Sequence, residues 1–175
     1  MIARAALALA AVLLAATVPE PPDFRMDDYR APVPRTLAGA RVVSVTEVRD
    51  LVGDPSATLI DVLPAPRRPP SMRPGMPWLP EPHRSIPGAL WWPDVGRGAL
   101  APSLESRFRE RLEAAAGPGR QRLLVFFCLS DCWMSWNAGK RAVAWGYRVA
   151  WFPFGVDGWS AAGLPTQIVE PTALD

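Results

Sequence analysis

The sequence predicts an α/β fold with a mainly parallel central sheet. Residues 123–127, Leu-Leu-Val-Phe-Phe, are apolar on both faces, which is typical of a strand in the middle of a parallel sheet. A second buried-strand pattern covers residues 58–62, and helical patterns cover residues 103–116 and 132–145. Because strands alternate with helices, we expect crossover connections and parallel pairing. At 175 residues the chain suffices for one domain and a tail.

The composition excludes several classes of protein. Hydrophobic residues make up 49% of the chain and charged residues 21%, which indicates a folded rather than a disordered chain. The formal net charge of +2 gives no electrostatic footprint for nucleic acid, so no nucleic-acid partner is expected. One histidine and two cysteines exclude a zinc site made of four cysteines or of several histidines.

The first residues are typical of an export signal. Arg4 precedes an apolar run at residues 5–16 that ends in small residues. This run is shorter than the about 20 residues that span a bilayer. We therefore predict a signal peptide over residues 1–17 and a periplasmic mature protein without a stable membrane span, in a compartment where disulfides form. A buried helix and a retained anchor are the alternatives.

Proline content and a capping pattern predict the next segments. Residues 18–38 are rich in proline and polar residues, and we predict an extended N-terminal arm there. Residues 41–44 alternate enough for a short strand. Ser44-x-x-Glu47 forms a capping box, which predicts a helix that ends before Gly53.

The stretch over residues 63–93 holds many of the chain's 21 prolines. Proline fixes φ and removes the backbone donor, so regular structure is not expected across most of it. We predict a Pro-rich insertion at residues 63–82 and a short strand at residues 89–92. The folded domain is predicted to cover residues 39–168, and residues 169–175 form a tail.

The C-terminal half places a cysteine at the end of a strand. Cys128 directly follows the strongest strand pattern, and open α/β sheets place their sites at the carboxyl ends of their strands. Glycines end the two helices predicted at residues 103–116 and 132–145. The pattern of residues 147–152 predicts a last strand, and Gly155-x-x-Gly158-Trp159 predicts a turn.

The two cysteines lie four residues apart at this strand-to-helix turn. On a helical turn the Cα atoms of Cys128 and Cys132 would lie about 6 Å apart, within bridging range. The helix N-terminus favours thiolate, whereas the charge of Asp131 opposes it. A bridge over so few residues adds only about 2 kcal/mol of stability, which favours a redox or sulfur-handling pair. A permanent local disulfide and two unrelated buried thiols are the alternatives.

The candidate site extends beyond the cysteine pair. Cys128 and Cys132 are the predicted catalytic residues, and the loop around them contains Leu129, Ser130, Asp131 and Trp133. The predicted supporting residues are Asp61, His83 and Trp136. On a helix, both tryptophans share one face, which is typical of core residues; Trp133 could equally shield the thiols or receive a partner.

Three other chemistries would use the same loop or its cysteines. Covalent haem attachment needs Cys-x-x-Cys-His, and Trp133 stands where the histidine would be. Two thiolates are suitable ligands for Cu(I), and His83 would be the third ligand. A phosphate-binding loop needs an arginine where this chain has Trp133 and Met134, and we expect Lys140 and Arg141 to face solvent.

In order and spacing, the assembled motifs resemble a single rhodanese-like domain over residues 40–165. The residues that carry this resemblance are Leu59-Ile60-Asp61-Val62, His83-x-x-Ile86-Pro87-Gly88-Ala89, the strand into Cys128, Gly146-Tyr147 and Gly155-x-x-Gly158-Trp159. It implies a five-stranded, mostly parallel sheet with helices on both faces. It makes Cys128 the match for the persulfide-forming cysteine and His83 a structural position. Because the loop lacks the arginine common in rhodaneses, ordinary thiosulfate sulfurtransferase activity is not expected.

Residues 128–138 and 28–32 also resemble the exported CXXCW-motif proteins associated with PQQ-dependent catabolism, although three residues separate the cysteines here. This resemblance implies a periplasmic accessory protein for alcohol oxidation. Its partner would be a PQQ-dependent dehydrogenase, a cytochrome or an associated transport component. No cofactor or metal is predicted for the chain itself. The hypotheses are a thiol-disulfide or sulfur-transfer protein, a non-catalytic binding module with a structural disulfide, and a Cu(I) chaperone.

Overall fold

The computed structural model describes residues 18–172. The signal peptide predicted at residues 1–17 and the last three residues of the predicted tail lie outside the described residues. Within the described part of the chain, no helix has both the length and the hydropathy needed to cross a membrane.

The described residues form a five-stranded parallel sheet and a separate two-stranded antiparallel pair. In chain order the strands are β1 (Arg41–Val42), β2 (Ala57–Asp61), β3 (Arg84–Ser85), β4 (Leu90–Trp91), β5 (Leu123–Phe127), β6 (Val149–Phe152) and β7 (Gln167–Ile168). The order in the larger sheet is β1-β6-β5-β2-β4, and every pairing in it is parallel. β5 lies at the centre, as its apolar sequence predicts.

Helices cover both faces of the sheet. The helices are α1 (Val45–Leu51), α2 (Pro102–Ala116), α3 (Trp133–Ala144) and α4 (Gly155–Ala161). Phe126 packs in a cluster with α2 and α3, whereas Phe127 packs in a cluster with α1 and α4. Since successive strand side chains point to opposite faces, two helices cover each face. The predicted α/β class with a parallel central sheet is therefore confirmed.

The predicted turn at residues 155–159 is wrong, because these residues begin the helix α4. The N–H of Val156 donates to the carbonyl oxygen of Cys128 at 2.9 Å, which holds the start of the helix on the end of β5. Trp159 is buried, and its indole Nε1 donates to the carbonyl oxygen of Pro165 at 2.8 Å. Contacts with the rest of the fold, rather than local propensity, thus turn a glycine-containing segment into a helix.

The predicted arm at residues 18–38 is largely without regular structure and packs along α3. The Nζ of Lys140 donates to the carbonyl oxygen of Pro22 at 2.7 Å. The Oδ1 of Asn137 accepts the N–H of Arg25 at 3.0 Å, and its Nδ2 donates to the carbonyl oxygen of the same residue at 2.8 Å. Side chains of α3 therefore bind backbone groups of the arm.

The expectation that Arg141 faces solvent is wrong. The residue is 5% exposed, its guanidinium lies 4.0 Å from the ring of Phe24, and its Nη2 donates to the carbonyl oxygen of Gly98. Burial lowers the pKa of Arg141 to about 10. The arm supplies the aromatic ring that covers this side, which a helical wheel of α3 alone does not show.

Candidate functional site

The two cysteines of the chain lie at the junction of β5 and α3. Cys128 directly follows β5, and Cys132 is the N-cap residue of α3. Their sulfur atoms are at disulfide distance and their Cα atoms are 6.2 Å apart, so the predicted close approach is confirmed. Cys128 is 0% exposed and Cys132 is 5% exposed. The structure therefore places a bridged pair beneath the surface.

The start of α4 holds the loop between the cysteines. The N–H of Ser130 donates to Oδ2 of Asp157 at 3.1 Å, and its hydroxyl donates to the carbonyl oxygen of Phe154 at 2.8 Å. Asp131 has φ of +51°, in the left-handed region. These contacts give the five-residue ring a fixed conformation.

The arm covers the same loop with backbone hydrogen bonds. The N–H of Ala31 donates to the carbonyl oxygen of Asp131 at 3.0 Å, and the N–H of Trp133 donates to the carbonyl oxygen of Tyr29 at 2.8 Å. Between these two bonds, the arm forms an antiparallel bridge opposite Cys132. The backbone of the second cysteine is thus paired with the arm as a strand would be.

An ion pair joins the arm, the loop and α4. The Nη2 of Arg30 lies 2.9 Å from Oδ2 of Asp157, the same oxygen that accepts the Ser130 N–H. Both charged side chains are partly exposed, so this contact alone contributes little stability. The role of the ion pair is positional, because it holds the arm over the loop on the side that faces solvent.

The predicted loop residue Trp133 and the supporting residue Trp136 both lie in the core. Together with Leu37 and Trp151 they form a tryptophan cluster between α3, β6 and the arm. The two α3 rings meet edge to face at 5.3 Å, and the indole Nε1 of Trp136 donates to the carbonyl oxygen of Thr36 at 3.1 Å. With 3% exposure, Trp133 is covered in this conformation.

The predicted supporting residues Asp61 and His83 contact each other on the opposite side of the sheet. Asp61 is fully buried at the end of β2, and its Oδ2 accepts the Ser85 hydroxyl at 2.6 Å and lies 2.8 Å from Nε2 of His83. Its Oδ1 accepts the N–H of Leu63 at 2.9 Å. Strand alternation directs Asp61 toward the face covered by α1 and α4, whereas Cys128 packs with α2 and α3.

This placement bears on the Cu(I) hypothesis. The Nε2 of His83 already contacts Asp61, and its ring lies 4.4 Å from the ring of Trp91. Among residues 18–172, no group of three histidine, cysteine, aspartate or glutamate side chains is placed to hold a metal ion. His83 therefore does not complete a three-ligand copper site with the cysteines in this conformation.

A cavity of about 560 Å³ adjoins the loop on the solvent side. Ser130 and Asp131 line it from the loop, and Val42 and Phe154 line it from the sheet edge and the segment before α4. Residues 33–35 of the arm form another wall. Because Phe154 is half exposed, this cavity has an apolar surface next to the cysteine ring.

The sequence did not single out four residues that build this region, Tyr29, Arg30, Asn137 and Asp157. The first two lie within residues 28–32, which carried the family resemblance but no assigned role. Asp157 stands between two glycines that predicted a turn, and Asn137 lies within residues 128–138, which also carried the family resemblance but gave this residue no role. Only the tertiary structure shows that all four hold the arm on the domain.

No family model and no curated protein matches the chain. Among solved structures, a thiosulfate sulfurtransferase from Pseudomonas aeruginosa is similar, with 24% identity and a TM-score of 0.49 over 78% of this chain and 21% of that chain. A protein from Bacillus halodurans has 14% identity and a TM-score of 0.49 over 73% and 77% of the two chains. A protein from Saccharomyces cerevisiae has 24% identity and a TM-score of 0.42 over 72% and 95%. The chain spans about a fifth of the length of the Pseudomonas protein.

The fold class that the rhodanese resemblance implies is the one observed, because a five-stranded parallel sheet lies between two layers of helices.

Proposed function

We propose that this chain is an exported, rhodanese-like thiol protein whose reacting group is the Cys128–Cys132 pair, and that it serves PQQ-dependent alcohol oxidation in the periplasm. The observation that carries the thiol chemistry is the position of a closely spaced cysteine pair at the carboxyl end of the central strand β5. The periplasmic and PQQ context rests on the export-type N-terminus and on the motif resemblance of residues 28–32 and 128–138.

In thiol-disulfide exchange, the reduced pair acts in two steps. The Cys128 thiolate attacks a partner disulfide, forms a mixed disulfide and releases one partner thiolate. The Cys132 thiolate then attacks the Cys128 sulfur and releases the second partner thiolate. The partner gains two electrons and two protons, and the pair loses them as its bridge forms. The reverse sequence oxidises a partner dithiol.

Sulfur transfer would use the same two residues. A persulfide donor would pass its outer sulfur to the Cys128 thiolate and leave as a thiol. Attack of Cys132 on the inner sulfur of the Cys128 persulfide would close the bridge and release hydrosulfide. Both reactions end in the bridged state that the structure shows.

Burial of both cysteines favours a second candidate, a non-catalytic binding module in which the bridge is structural. In that case the cavity beside the loop and the Pro-rich stretch would bind the partner. The two candidates predict different reduction potentials, since structural bridges resist reduction and working bridges do not.

The deciding experiment is a redox titration of the mature protein purified without reductant. Alkylation and mass spectrometry would count free thiols across buffers of defined potential. A midpoint between about −120 and −200 mV supports a working pair, and a bridge still closed below about −300 mV supports the binding module. The Cys132→Ser variant is expected to accumulate a mixed disulfide on Cys128, and Cys128→Ser is the matched control.

The physiological context needs a separate test. A deletion strain would be complemented with the wild type and with the Cys128→Ser/Cys132→Ser double variant, and growth would be compared on an alcohol and on a non-alcohol carbon source. Loss of growth on alcohol alone supports the PQQ context. Full complementation by the double variant, if it is folded, supports the binding module.

A further inference from the structure

The arm segment Tyr29–Ala31 lies on the cysteine loop as an added strand. It offers one N–H and one carbonyl oxygen, and residues 131–133 of the loop offer the complementary groups. Backbone pairing of this kind depends little on the side chains of the added segment, so another extended polypeptide could make the same two hydrogen bonds. The loop edge is therefore a template for a strand, occupied here by the chain itself.

The bridge is closed to solvent while this segment is in place. Cys132 is the residue opposite the arm and is 5% exposed, and Tyr29 packs against the cluster that contains both cysteines. A thiol that is to attack the bridge must approach along the S–S axis, and the side facing the arm is covered. Departure of the arm would uncover the Cys132 side of this loop for an attacking thiol.

The polar contacts that hold the segment are individually weak. Two backbone hydrogen bonds and the partly exposed Arg30–Asp157 ion pair bind it to the loop and to α4, and the Tyr29 hydroxyl accepts the N–H of Gly98 at 2.9 Å beside the core cluster. Each such contact contributes a small net free energy, so local opening is much less costly than unfolding. Further along the arm, Val33 and Arg35 leave the loop and line the apolar cavity beside it.

We infer that the partner of the cysteine pair is an extended polypeptide segment carrying a cysteine, which displaces Tyr29–Ala31 and pairs with residues 131–133. This inference rests on the proposed function and names its substrate class, a protein thiol rather than a small free thiol. Once the partner strand is paired, its thiolate attacks one sulfur of the bridge, the S–S bond breaks and the other sulfur leaves as a thiolate. The neighbouring cavity then accepts an apolar side chain of the partner.

The first test measures how fast a small thiol reduces the bridge. Ala31→Pro removes the N–H that binds Asp131, and it suits the extended backbone required of the preceding residue. Arg30→Ala removes the ion pair with Asp157. The matched control is Arg49→Ala, because Arg49 forms a similarly exposed ion pair with Asp50 on α1.

With dithiothreitol as the probe, reduction is expected to be about fivefold faster in Ala31→Pro, the factor that one lost hydrogen bond gives an opening equilibrium. Arg30→Ala should show a smaller increase, and Arg49→Ala should match the wild type. Equal rates in all four proteins would show that the arm does not gate the bridge. If Ala31→Pro is not folded by circular dichroism, Arg30→Ala carries this test.

The second test concerns the kind of partner. A synthetic peptide with the sequence of residues 26–34 is expected to slow the reduction of Ala31→Pro toward the wild-type rate, and a scrambled peptide is expected to have no effect. No protection by either peptide, or equal protection by both, would overturn the polypeptide assignment. The proposed function is tested by an equilibrium potential and this inference by rates, so their failures are distinguishable.

Discussion

At the residue scale, Asp61 joins three donors in the interior beside β2. Asp61→Asn keeps the shape but offers one carbonyl oxygen where the carboxylate uses both oxygens, so its amide nitrogen faces N–H or O–H donors. We expect a loss of about 2 kcal/mol in the free energy of unfolding, measured in urea. Asp50→Asn, on the surface of α1, should change it by less than about 0.5 kcal/mol.

The same variant tests whether Asp61 acts on the cysteines. Because Asp61 and Cys128 lie on opposite faces of the sheet, the midpoint potential of the cysteine pair should stay within about 30 mV of the wild type. A larger shift would show that Asp61 and His83 belong to the thiol site, as the sequence predicted, and not to a separate buried network.

Gly155 is a second residue whose role follows from geometry. Its φ is +52°, and a Cβ there would overlap the carbonyl of Cys128. Gly163 has φ of +73° and open space around it, so Gly163→Ala tests the backbone strain alone, about 1 kcal/mol. We expect Gly155→Ala to cost at least about 3 kcal/mol in urea unfolding, since the loop must also move. Equal losses in the two variants would show that the Cys128 carbonyl is not crowded.

At the scale of elements, the capping box of α1 is a local device with a pH signature. The Ser44 N–H and hydroxyl donate to the Glu47 carboxylate and hold the pKa of Glu47 below its ordinary value of 4.5. The bond from the backbone N–H has the larger effect on this pKa. A depressed pKa contributes stability above the unfolded-state pKa that is lost as pH falls through the folded-state pKa. The contribution should therefore be present at neutral pH and disappear in acid.

Two variants measure this effect. Ser44→Ala should lose about 1 kcal/mol of unfolding free energy at pH 7. Glu47→Gln should show a weaker loss of stability than the wild type between about pH 5 and about pH 3, because the titrating carboxylate is absent. Parallel curves for wild type and Glu47→Gln over that range would mean that the box does not titrate with folding.

The elements differ in how far the sequence determines them. β5 and α2 are correctly predicted because a long apolar run and an i, i+4 apolar pattern are strong local signals. β3 and β7 have two residues each and form by pairing with each other across more than 80 residues, which no local pattern shows. The start of α4 is held by a hydrogen bond to Cys128, and the local sequence pattern gives no sign of that bond.

At the scale of the whole molecule, the candidate site is made by packing the N-terminal arm onto the domain. The spacing of the cysteines predicts their close approach, because four residues define a local turn. The cover over them involves residues about 100 positions away in the chain, such as Arg30 opposite Cys132. It depends on backbone groups that carry no residue-specific pattern, so the sequence indicated an extended arm but not where it binds.

Reduction of the bridge is the change that tests this coupling across the molecule. A ring closed by five residues removes little entropy from the unfolded chain. The free energy of unfolding of the oxidised protein should therefore exceed that of the reduced protein by about 2 kcal/mol, and its Tm should be about 4–8 °C higher. Calorimetry of both forms, with alkylation to verify the redox state, measures the difference.

If reduction also releases the arm, the tryptophan cluster loses its contacts with Leu37 and Thr36. The loss would then clearly exceed the ring entropy, and tryptophan emission would shift to longer wavelength well below Tm. A loss near 2 kcal/mol with unchanged emission would show instead that the arm stays docked in both redox states and opens only when a partner strand displaces it.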